Sequence, residues 1–302
     1  RTSGGFAPSM RCLEMVFKRC RRMRQQLRQV ALMGNGKTGI IAANRKLRDT
    51  GHMITFDFSN RVAVVTGAGG GMGRQIANLI LDSGGSVIMI DVKPEPDDLN
   101  GAPGQRLYAQ GDLTEPEFVH ATIAASVERF GRIDYLANVA GVLWFDRDAS
   151  LLDMDMAVWD QVFDINLKSM VHTARAVVPH MRTQNGGAMV HFSTTQCLRG
   201  DPLPQDAYST AKAGVGALSR SLAMPLATDN IRSNAIYPGL TQTPLQARWD
   251  TPEKIAEAGS FVPLGRIGTA TELATAAVFL LSDGASYITG IDLVVDGGLL
   301  LK

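Results

Sequence analysis

Cysteine is scarce in this chain, and no apolar run is long. The three cysteines, Cys12, Cys20 and Cys197, form neither a CxxC pair nor an even-numbered set. This excludes a disulfide scaffold and favours reduced thiols in the cytoplasm. Apolar stretches such as residues 274–281 are too short to cross a bilayer. The five histidines are scattered without ligand spacing, so the sequence predicts no metal site.

Acidic residues are scarce in the first 52 positions. This segment has twelve Lys and Arg against two acids, a formal charge of +10, whereas the whole chain carries +1 and the remainder therefore −9. Such asymmetry is found in nucleic-acid or membrane-surface arms and in organelle-targeting peptides. We favour an extension from an upstream start, with Met53 as the original initiator. We therefore predict that residues 1–52 lie outside the fold, that residues 53–302 form one domain, and that neither nucleic acid nor membrane is a partner.

A glycine-rich loop follows a β-branched apolar run. Residues 61–66 (RVAVVT) suit a buried parallel strand, and a helical pattern begins at Arg74. Between them, Gly67, Gly71 and Gly73 allow a tight turn and bring the backbone close to a pyrophosphate, whose charge the helix N-terminus stabilises. Strand, loop and helix in this order indicate dinucleotide binding.

An acidic residue ends the next apolar run. Residues 86–90 lead into Asp91, at the distance from the loop where an acid commonly binds the adenosine ribose. A carboxylate there accepts hydrogen bonds from the ribose hydroxyls of NAD and repels the additional phosphate of NADP. The sequence therefore favours NAD, while Lys93 is close enough to soften that repulsion.

Tyr208 and Lys212 are four residues apart in a helical pattern. This spacing puts the phenol and the ammonium on one face, one turn apart. A tyrosine has an ordinary pKa of about 10, and a neighbouring cation lowers it. We therefore expect Tyr208 to exchange a proton with an alcohol or carbonyl oxygen near neutral pH.

Further motifs occur in a fixed order. TGxxxGxG occupies residues 66–73, NVAG residues 138–141, YxxxK residues 208–212 and PGLTQT residues 238–243, and a VDGG turn lies at residues 295–298.

Together these motifs resemble the classical short-chain dehydrogenases/reductases, from about Phe56 to Leu300. Val139 stands where that family usually has a second Asn. Members that use NADP often have an Arg or Lys just before the second loop glycine, where this chain has Gly70; this also favours NAD. The resemblance assigns the dinucleotide to residues of several loops. These are Gly67, Gly70, Gly71, Met72, Gly73, Asp91, Val92, Asp112, Leu113, Asn138, Ala140, Gly141, Tyr208, Lys212, Pro238, Gly239, Thr241 and Thr243.

The resemblance also implies the catalytic groups. Asn166 matches the family's catalytic Asn, and Tyr208 with Lys212 matches its base and the cation beside it. The family's catalytic serine closes the fifth strand, and three hydroxyl residues compete for that position. Alignment of the strand selects Thr194, counting back from Tyr208 selects Thr195, and Ser193 is the only serine. We expect Thr194, with Ser193 second and an insertion in the loop before Tyr208.

The resemblance implies a single Rossmann-type α/β domain, a doubly wound parallel sheet with helices on both faces, in agreement with the alternation of strands and helices. It implies an NAD-dependent enzyme that transfers a hydride between nicotinamide and a secondary alcohol or ketone. The alternatives are an NADP-dependent reductase of 3-oxoacyl thioesters and a non-catalytic dinucleotide sensor. A homotetramer is also implied, with residues 288–301 in an interface.

Three loops are expected to select the substrate: residues 142–145, 196–205 and 240–261. Large apolar side chains in them suit a hydrophobic small molecule, and packing of a lid or a subunit interface explains them equally well. These side chains are Trp144, Leu198, Leu240, Leu245 and Trp249.

Overall fold

The computed structural model describes residues 56–200, 203–246 and 248–302. Within these ranges the strands are β1 (Val62–Thr66), β2 (Ser86–Asp91), β3 (Arg106–Gln110), β4 (Tyr135–Asn138), β5 (Gly187–Phe192), β6 (Ile231–Pro238), β7 (Thr241–Gln242), β8 (Gly268–Thr269) and β9 (Asp292–Val295). The helices are α1 (Gly71–Asp82), α2 (Pro116–Phe130), α3 (Met156–Phe163), α4 (Ser169–Thr183), α5 (Asp206–Leu226), α6 (Pro252–Ser260) and α7 (Ala270–Leu281). The proposed extension, residues 1–52, lies outside the described residues.

Seven strands form one parallel sheet in the order β3-β2-β1-β4-β5-β6-β9. The order reverses between β1 and β4, which are hydrogen-bonded neighbours. In sheets of this kind a ligand binds outside the carboxyl ends of the strands at such a reversal. The predicted doubly wound parallel sheet is confirmed.

Apolar side chains alternate between the two faces of the sheet and build a core on each. On one face Val65 packs with residues of α1 and α7, and on the other Val64 packs with residues of α2 and α4. β1 is buried at every position because helices cover both of its faces. The sheet is thus a rigid support for the loops at its carboxyl edge.

Most candidate site residues lie at that carboxyl edge. The glycine loop follows β1, Asp91 ends β2 and Asn138 ends β4. Thr194 follows β5, and Pro238 ends β6. Adjacent parallel strands therefore bring segments more than 150 residues apart in sequence to one place.

The chain around Asn166 is helical, with one irregularity. Between α3 and α4 the chain forms a π-helical turn, Asp164–Lys168. Such turns are frequent at functional sites. None of the helices in the described ranges combines the length and apolar character needed to cross a membrane. In the same ranges, no three His, Cys, Asp or Glu side chains converge as a metal site would require.

The amino ends of the central strands are joined by one buried carboxylate. Asp134, at 3% exposure, accepts hydrogen bonds from the Val62 amide at 2.9 Å, Arg61 Nη1 at 3.0 Å and Arg132 Nη2 at 2.6 Å. Its removal leaves a buried N–H group without an acceptor, which is costly.

We expect Asp134→Ala to lower the free energy of unfolding by about 2–3 kcal/mol, measured by chemical denaturation. Asp98→Ala is the control, because Asp98 forms one ion pair with Arg74 and is 66% exposed; it should cost less than about 1 kcal/mol. Equal losses in the two variants would contradict this role of Asp134.

Candidate active site

The glycine loop is held in close contact with the end of β4. Gly67 has φ +68°, and a Cβ atom there would lie 2.8 Å from the amide nitrogen of Ala140. A Cβ at Gly73 would lie 2.2 Å from the carbonyl oxygen of Gly67. Only glycine fits at these two positions. The loop therefore exposes its backbone, and α1 begins at Gly71 with no side chain capping its first turn. That is a suitable cradle for a pyrophosphate.

The carboxylate of Asp91 is fixed beneath this loop. Its Oδ2 accepts a hydrogen bond from the amide of Gly69 at 2.8 Å, and its Oδ1 accepts one from the amide of Lys93 at 2.9 Å. A Cβ at Gly69 would lie 2.9 Å from the Asp91 carboxyl carbon. Val92, beside it, is exposed. A fixed negative charge therefore adjoins the loop.

Thr66 joins the ends of β1 and β4. Its hydroxyl accepts hydrogen bonds from the amides of Val139 at 3.0 Å and Ala140 at 3.1 Å. The next residue, Gly141, adjoins the catalytic candidates, since a Cβ there would lie 2.5 Å from Asn166 Oδ1 and 3.1 Å from Lys212 Nζ. The absence of a side chain at Gly141 lets these two polar groups approach the backbone at the end of β4.

Tyr208 lies in the first turn of α5 and is buried, with 6% of its surface exposed. Burial raises the pKa of Tyr208 to about 12, and the nearby hydroxyl of Thr194 opposes this rise to a smaller extent. The sequence argument expected a lowered pKa, and that expectation is wrong for the protein alone. Removing the phenolate from water outweighs the stabilisation by its neighbours.

Lys212 lies one turn further along α5 and is equally buried. Its Nζ donates a hydrogen bond to the carbonyl oxygen of Phe192, the last residue of β5, at 2.9 Å and lies 5.9 Å from the centre of the Tyr208 ring. Burial lowers the pKa of Lys212 to about 8. The spacing of four residues thus gives one polar face, as predicted, but the amine is bound to the end of β5.

The three hydroxyl residues after β5 have different partners. The Thr194 hydroxyl accepts a hydrogen bond from the amide of Gln196 at 3.3 Å and lowers the pKa of Tyr208. Ser193 Oγ donates to the carbonyl oxygen of Lys212 at 2.7 Å, and Thr195 Oγ1 donates to that of Pro238 at 3.1 Å. Ser193 and Thr195 therefore hold the backbone of neighbouring elements. Thr194 is the hydroxyl that adjoins the phenol.

Asn166 is completely buried in the π-helical turn. Its side chain pairs with the backbone of Val142, accepting from the amide at 3.1 Å and donating to the carbonyl oxygen at 3.1 Å. It also donates to the carbonyl oxygen of Val162 at 3.1 Å. This side chain fixes the segment after β4 against the helix rather than facing solvent.

Two predicted cofactor residues use their side chains locally. Asn138 accepts a hydrogen bond from the hydroxyl of Thr173 at 2.7 Å and lies 3.2 Å from Nδ1 of His191, so its amide is occupied in the core. Asp112 accepts hydrogen bonds from the amide and hydroxyl of Thr114. The backbone of each remains at the carboxyl edge, and Leu113 is buried there.

The segment after β6 lies against the glycine loop. A Cβ at Gly71 would be 3.6 Å from Cβ of Thr243, while the hydroxyl of Thr241 donates to the carbonyl oxygen of Gly239 at 3.0 Å. Pro238 ends β6, and the amide of Gly239 donates to the carbonyl oxygen of Val295. The segment is therefore held between the sheet and the loop.

A cavity of about 260 Å³ lies in the segment after β6, lined by Leu240, Trp249, Ala258 and Phe261 together with charged side chains. The guanidinium of Arg248 is 4.6 Å from the ring centre of Phe145, so the segment touches the loop after β4. Trp144 packs instead against the apolar cluster that contains Tyr208. The two remaining apolar candidates, Leu198 and Leu245, are partly exposed.

Sequence reasoning missed Asp148. Its carboxylate is buried and accepts hydrogen bonds from the amides of Ala207 and Tyr208, at the start of α5. The helix and this acid are about sixty residues apart in sequence, so no local motif links them.

Comparison with known proteins agrees with this geometry. The sequence model of a family described as "Enoyl-(Acyl carrier protein) reductase" matches residues 67–300. The chain is 36% identical over 247 residues to a 3-oxoacyl-[acyl-carrier-protein] reductase of Thermotoga maritima, covering 80% of this chain and 98% of the relative. It is 36% identical over 245 residues to a cis-4-hydroxycyclohexanecarboxylate dehydrogenase of Sinomonas cyclohexanicum, covering 80% and 97%.

The fold comparison gives the same assignment. The ligand-free structure of the aldohexose dehydrogenase of Thermoplasma acidophilum matches with a TM-score of 0.75 and 32% identity, over 82% of this chain and 97% of that one. Three findings therefore agree on the family. They are a family match over most of the chain, relatives above 30% identity along nearly their whole length, and a shared fold. The chain belongs to the classical short-chain dehydrogenase/reductase family of oxidoreductases, which bind a nicotinamide dinucleotide.

Proposed function

We propose that this protein is an NAD-dependent oxidoreductase that interconverts a hydrophobic secondary alcohol and its ketone. The observation that carries the proposal is the buried phenol of Tyr208, with the hydroxyl of Thr194 close enough to lower its pKa and the amine of Lys212 one helical turn away. This set can move a proton at a substrate oxygen and needs no metal to do so.

The residues at the carboxyl edge fit a dinucleotide. The exposed backbone of the glycine loop and the uncapped first turn of α1 suit the pyrophosphate, and Asp91 suits the adenosine ribose. Lys212 is assigned to the nicotinamide ribose. When bound, the nicotinamide supplies the acceptor for the hydride that leaves the carbinol carbon.

We assign the proton-transfer step to Tyr208. In alcohol oxidation the substrate hydroxyl gives its proton to Tyr208 Oη, while the C–H bonding pair leaves as hydride and the carbonyl forms. In the reverse direction the phenol donates that proton to the new alkoxide. Because burial keeps the pKa of Tyr208 at about 12, the phenol is the dominant form at neutral pH and is ready to act as the acid.

Two neighbouring groups are assigned to the same step. The hydroxyl of Thr194 can donate to the substrate oxygen as negative charge develops there. Asn166 holds the segment after β4 through its paired hydrogen bonds to Val142. We assign Asn166 the role of helping to position a proton relay to solvent.

The preference for NAD rests on charge. Two backbone amides fix the carboxylate of Asp91 beside the loop. The 2′-phosphate of NADP would therefore be repelled by a negative charge whose side chain is not free to rotate away. Gly70 supplies no compensating cation. Lys93 contributes its backbone amide to hold Asp91 in place.

A hydrophobic substrate is supported by the four apolar side chains, Leu240, Trp249, Ala258 and Phe261, that line the 260 Å³ cavity beside three charged ones. Among the relatives, the Sinomonas enzyme is named for a hydroxylated cyclohexane carboxylate. The competing candidate is reduction of 3-oxoacyl thioesters, for which the Thermotoga relative is named. Turnover by any alcohol–ketone pair argues against the third possibility, a non-catalytic sensor.

We propose a cytoplasmic homotetramer as the working form. The edge strand β9 and its surroundings support an interface there, since the apolar side chains of Met224, Tyr287 and Val294 are exposed.

The first test measures turnover through the absorbance of the reduced nicotinamide. The substrates are secondary alcohols, cyclic ketones and a 3-oxoacyl thioester. We expect NAD to exceed NADP in kcat/KM by at least tenfold. Asp91→Ser should reduce kcat/KM for NAD by about 10- to 100-fold, which corresponds to the free energy of hydrogen bonds to a charged group. The ratio of kcat/KM for NAD to that for NADP should fall accordingly. Asp98→Ser, at an exposed ion pair, is the control. A preference for NADP with the thioester as best substrate would overturn the proposal in favour of the alternative.

A second test uses the close approach at Gly141. We expect Gly141→Ala to lower kcat by at least about 100-fold, because the new methyl group would displace Asn166 Oδ1 and Lys212 Nζ. Gly104→Ala is the matched control, since nothing lies within 4 Å of a Cβ there. Wild-type turnover in Gly141→Ala would show that these two groups are not needed where the structure has them.

A further inference from the structure

The first turn of α5 lacks a cap of its own. Gln205 precedes the helix, and its side chain makes no capping hydrogen bond. Helices begin with free N–H groups that need acceptors, and here the turn is buried. The missing acceptor comes from a distant loop. Asp148 Oδ1 accepts from the amide of Ala207 at 3.2 Å, and Oδ2 accepts from the amide of Tyr208 at 2.9 Å.

The same loop holds the helix at a second point. The amide of Asp206 donates to the carbonyl oxygen of Ala149 at 3.2 Å, and the carboxylate of Asp206 accepts from the amide of Leu151 at 2.9 Å. Hydrogen bonds in both directions join residues 148–151 to residues 206–208. Asp148 itself is 3% exposed, so water does not compete for its carboxylate.

The loop is anchored on its other side to the substrate region. The amide of Asp148 donates to the carbonyl oxygen of Trp144 at 3.2 Å. Leu143 and Met154 are buried in the apolar cluster that also contains Tyr208. Asp148 therefore connects the loop that borders the substrate with the backbone nitrogen of the residue assigned as the base.

We propose that Asp148 is a positioning residue: its carboxylate caps the base-bearing helix from the substrate loop and so fixes the place of the Tyr208 phenol. This inference rests on the proposed function for its catalytic consequence. A displacement of the order of 1 Å in a reacting group can reduce a rate about 100-fold, and two hydrogen bonds to consecutive amides leave little freedom for such a displacement.

The position also has an electrostatic consequence. Two titratable groups act on the phenol, Cys197 in the turn after β5 and Asp148 from the loop. Lys212, with its amine 5.9 Å from the ring centre, and Asp206 lie on the same helix. Burial is the main cause of the raised pKa of Tyr208, and the charge of Asp148 raises it further. Removal of that charge should shift the rise of alcohol oxidation with pH to lower pH.

The test compares Asp148→Ala and Asp148→Asn with Asp155→Ala. Asp155 is the matched control, because it caps α3 through the amide of Ala157 in the same part of the chain but does not contact α5. We expect Asp148→Ala to lower kcat about 10- to 100-fold with unchanged affinity for NADH. Asn is itself a good capping residue, so Asp148→Asn should recover part of kcat and show the shifted pH profile.

Hydrogen exchange at the amides of Ala207 and Tyr208 gives a readout that does not depend on turnover. We expect faster exchange there in Asp148→Ala and not in Asp155→Ala. Unchanged exchange, or a kcat within twofold of wild type in both Asp148 variants, would overturn the inference, as would an equal loss of kcat in Asp155→Ala. If the wild-type protein turns over no substrate, the proposed function fails, while exchange still decides whether Asp148 caps the helix.

Discussion

The site depends on the hydrogen bond between the Lys212 amine and the carbonyl oxygen of Phe192. This bond joins α5 to the end of a central strand. A second bond joins the same two elements, because Ser193 donates to the carbonyl oxygen of Lys212. The two contacts fix the helix against the sheet in register, so Thr194 meets Tyr208. A buried amine needs such a partner, because an unpaired donor in the interior costs free energy. The same burial lowers the pKa of Lys212 to about 8 and raises that of Tyr208 to about 12, so both groups are brought closer to their uncharged forms.

Close backbone approach is the second constraint. At Gly67, Gly73 and Gly141 a side chain would collide with neighbouring atoms. Two of these glycines shape the loop beside β1, and the third lets polar side chains reach the end of β4. Thr66 joins the two regions through its hydroxyl. The proposed dinucleotide cradle and the proposed proton-transfer group are therefore parts of one edge of the sheet, with Asp91 supplying the charge at one end.

The sequence predicted features that depend on local pattern. Three such features lie within short stretches of the chain: the apolar run before Gly67, the spacing of the glycines and the spacing of Tyr208 from Lys212. They were sufficient to predict the parallel sheet and the family. Features that depend on tertiary contact were not predictable in this way. The choice among Ser193, Thr194 and Thr195 follows from which neighbours each hydroxyl meets. The pKa of Tyr208 rises because packing excludes water, an effect that an isolated helix would not show. Asp148 belongs to the same class, since its partners are about sixty residues away.

The most direct test of the account is the pH dependence of alcohol oxidation by the wild-type protein and by Tyr208→Phe, with NADH affinity measured in parallel. A pKa of about 12 predicts a wild-type rate that rises through the alkaline range, since the ionised fraction of Tyr208 grows about tenfold per pH unit below that value. Tyr208→Phe should bind NADH and lose at least about 100-fold in kcat, the usual contribution of a general acid or base. Near-wild-type turnover in that variant, with the alkaline rise intact, would contradict the assignment of the proton to Tyr208.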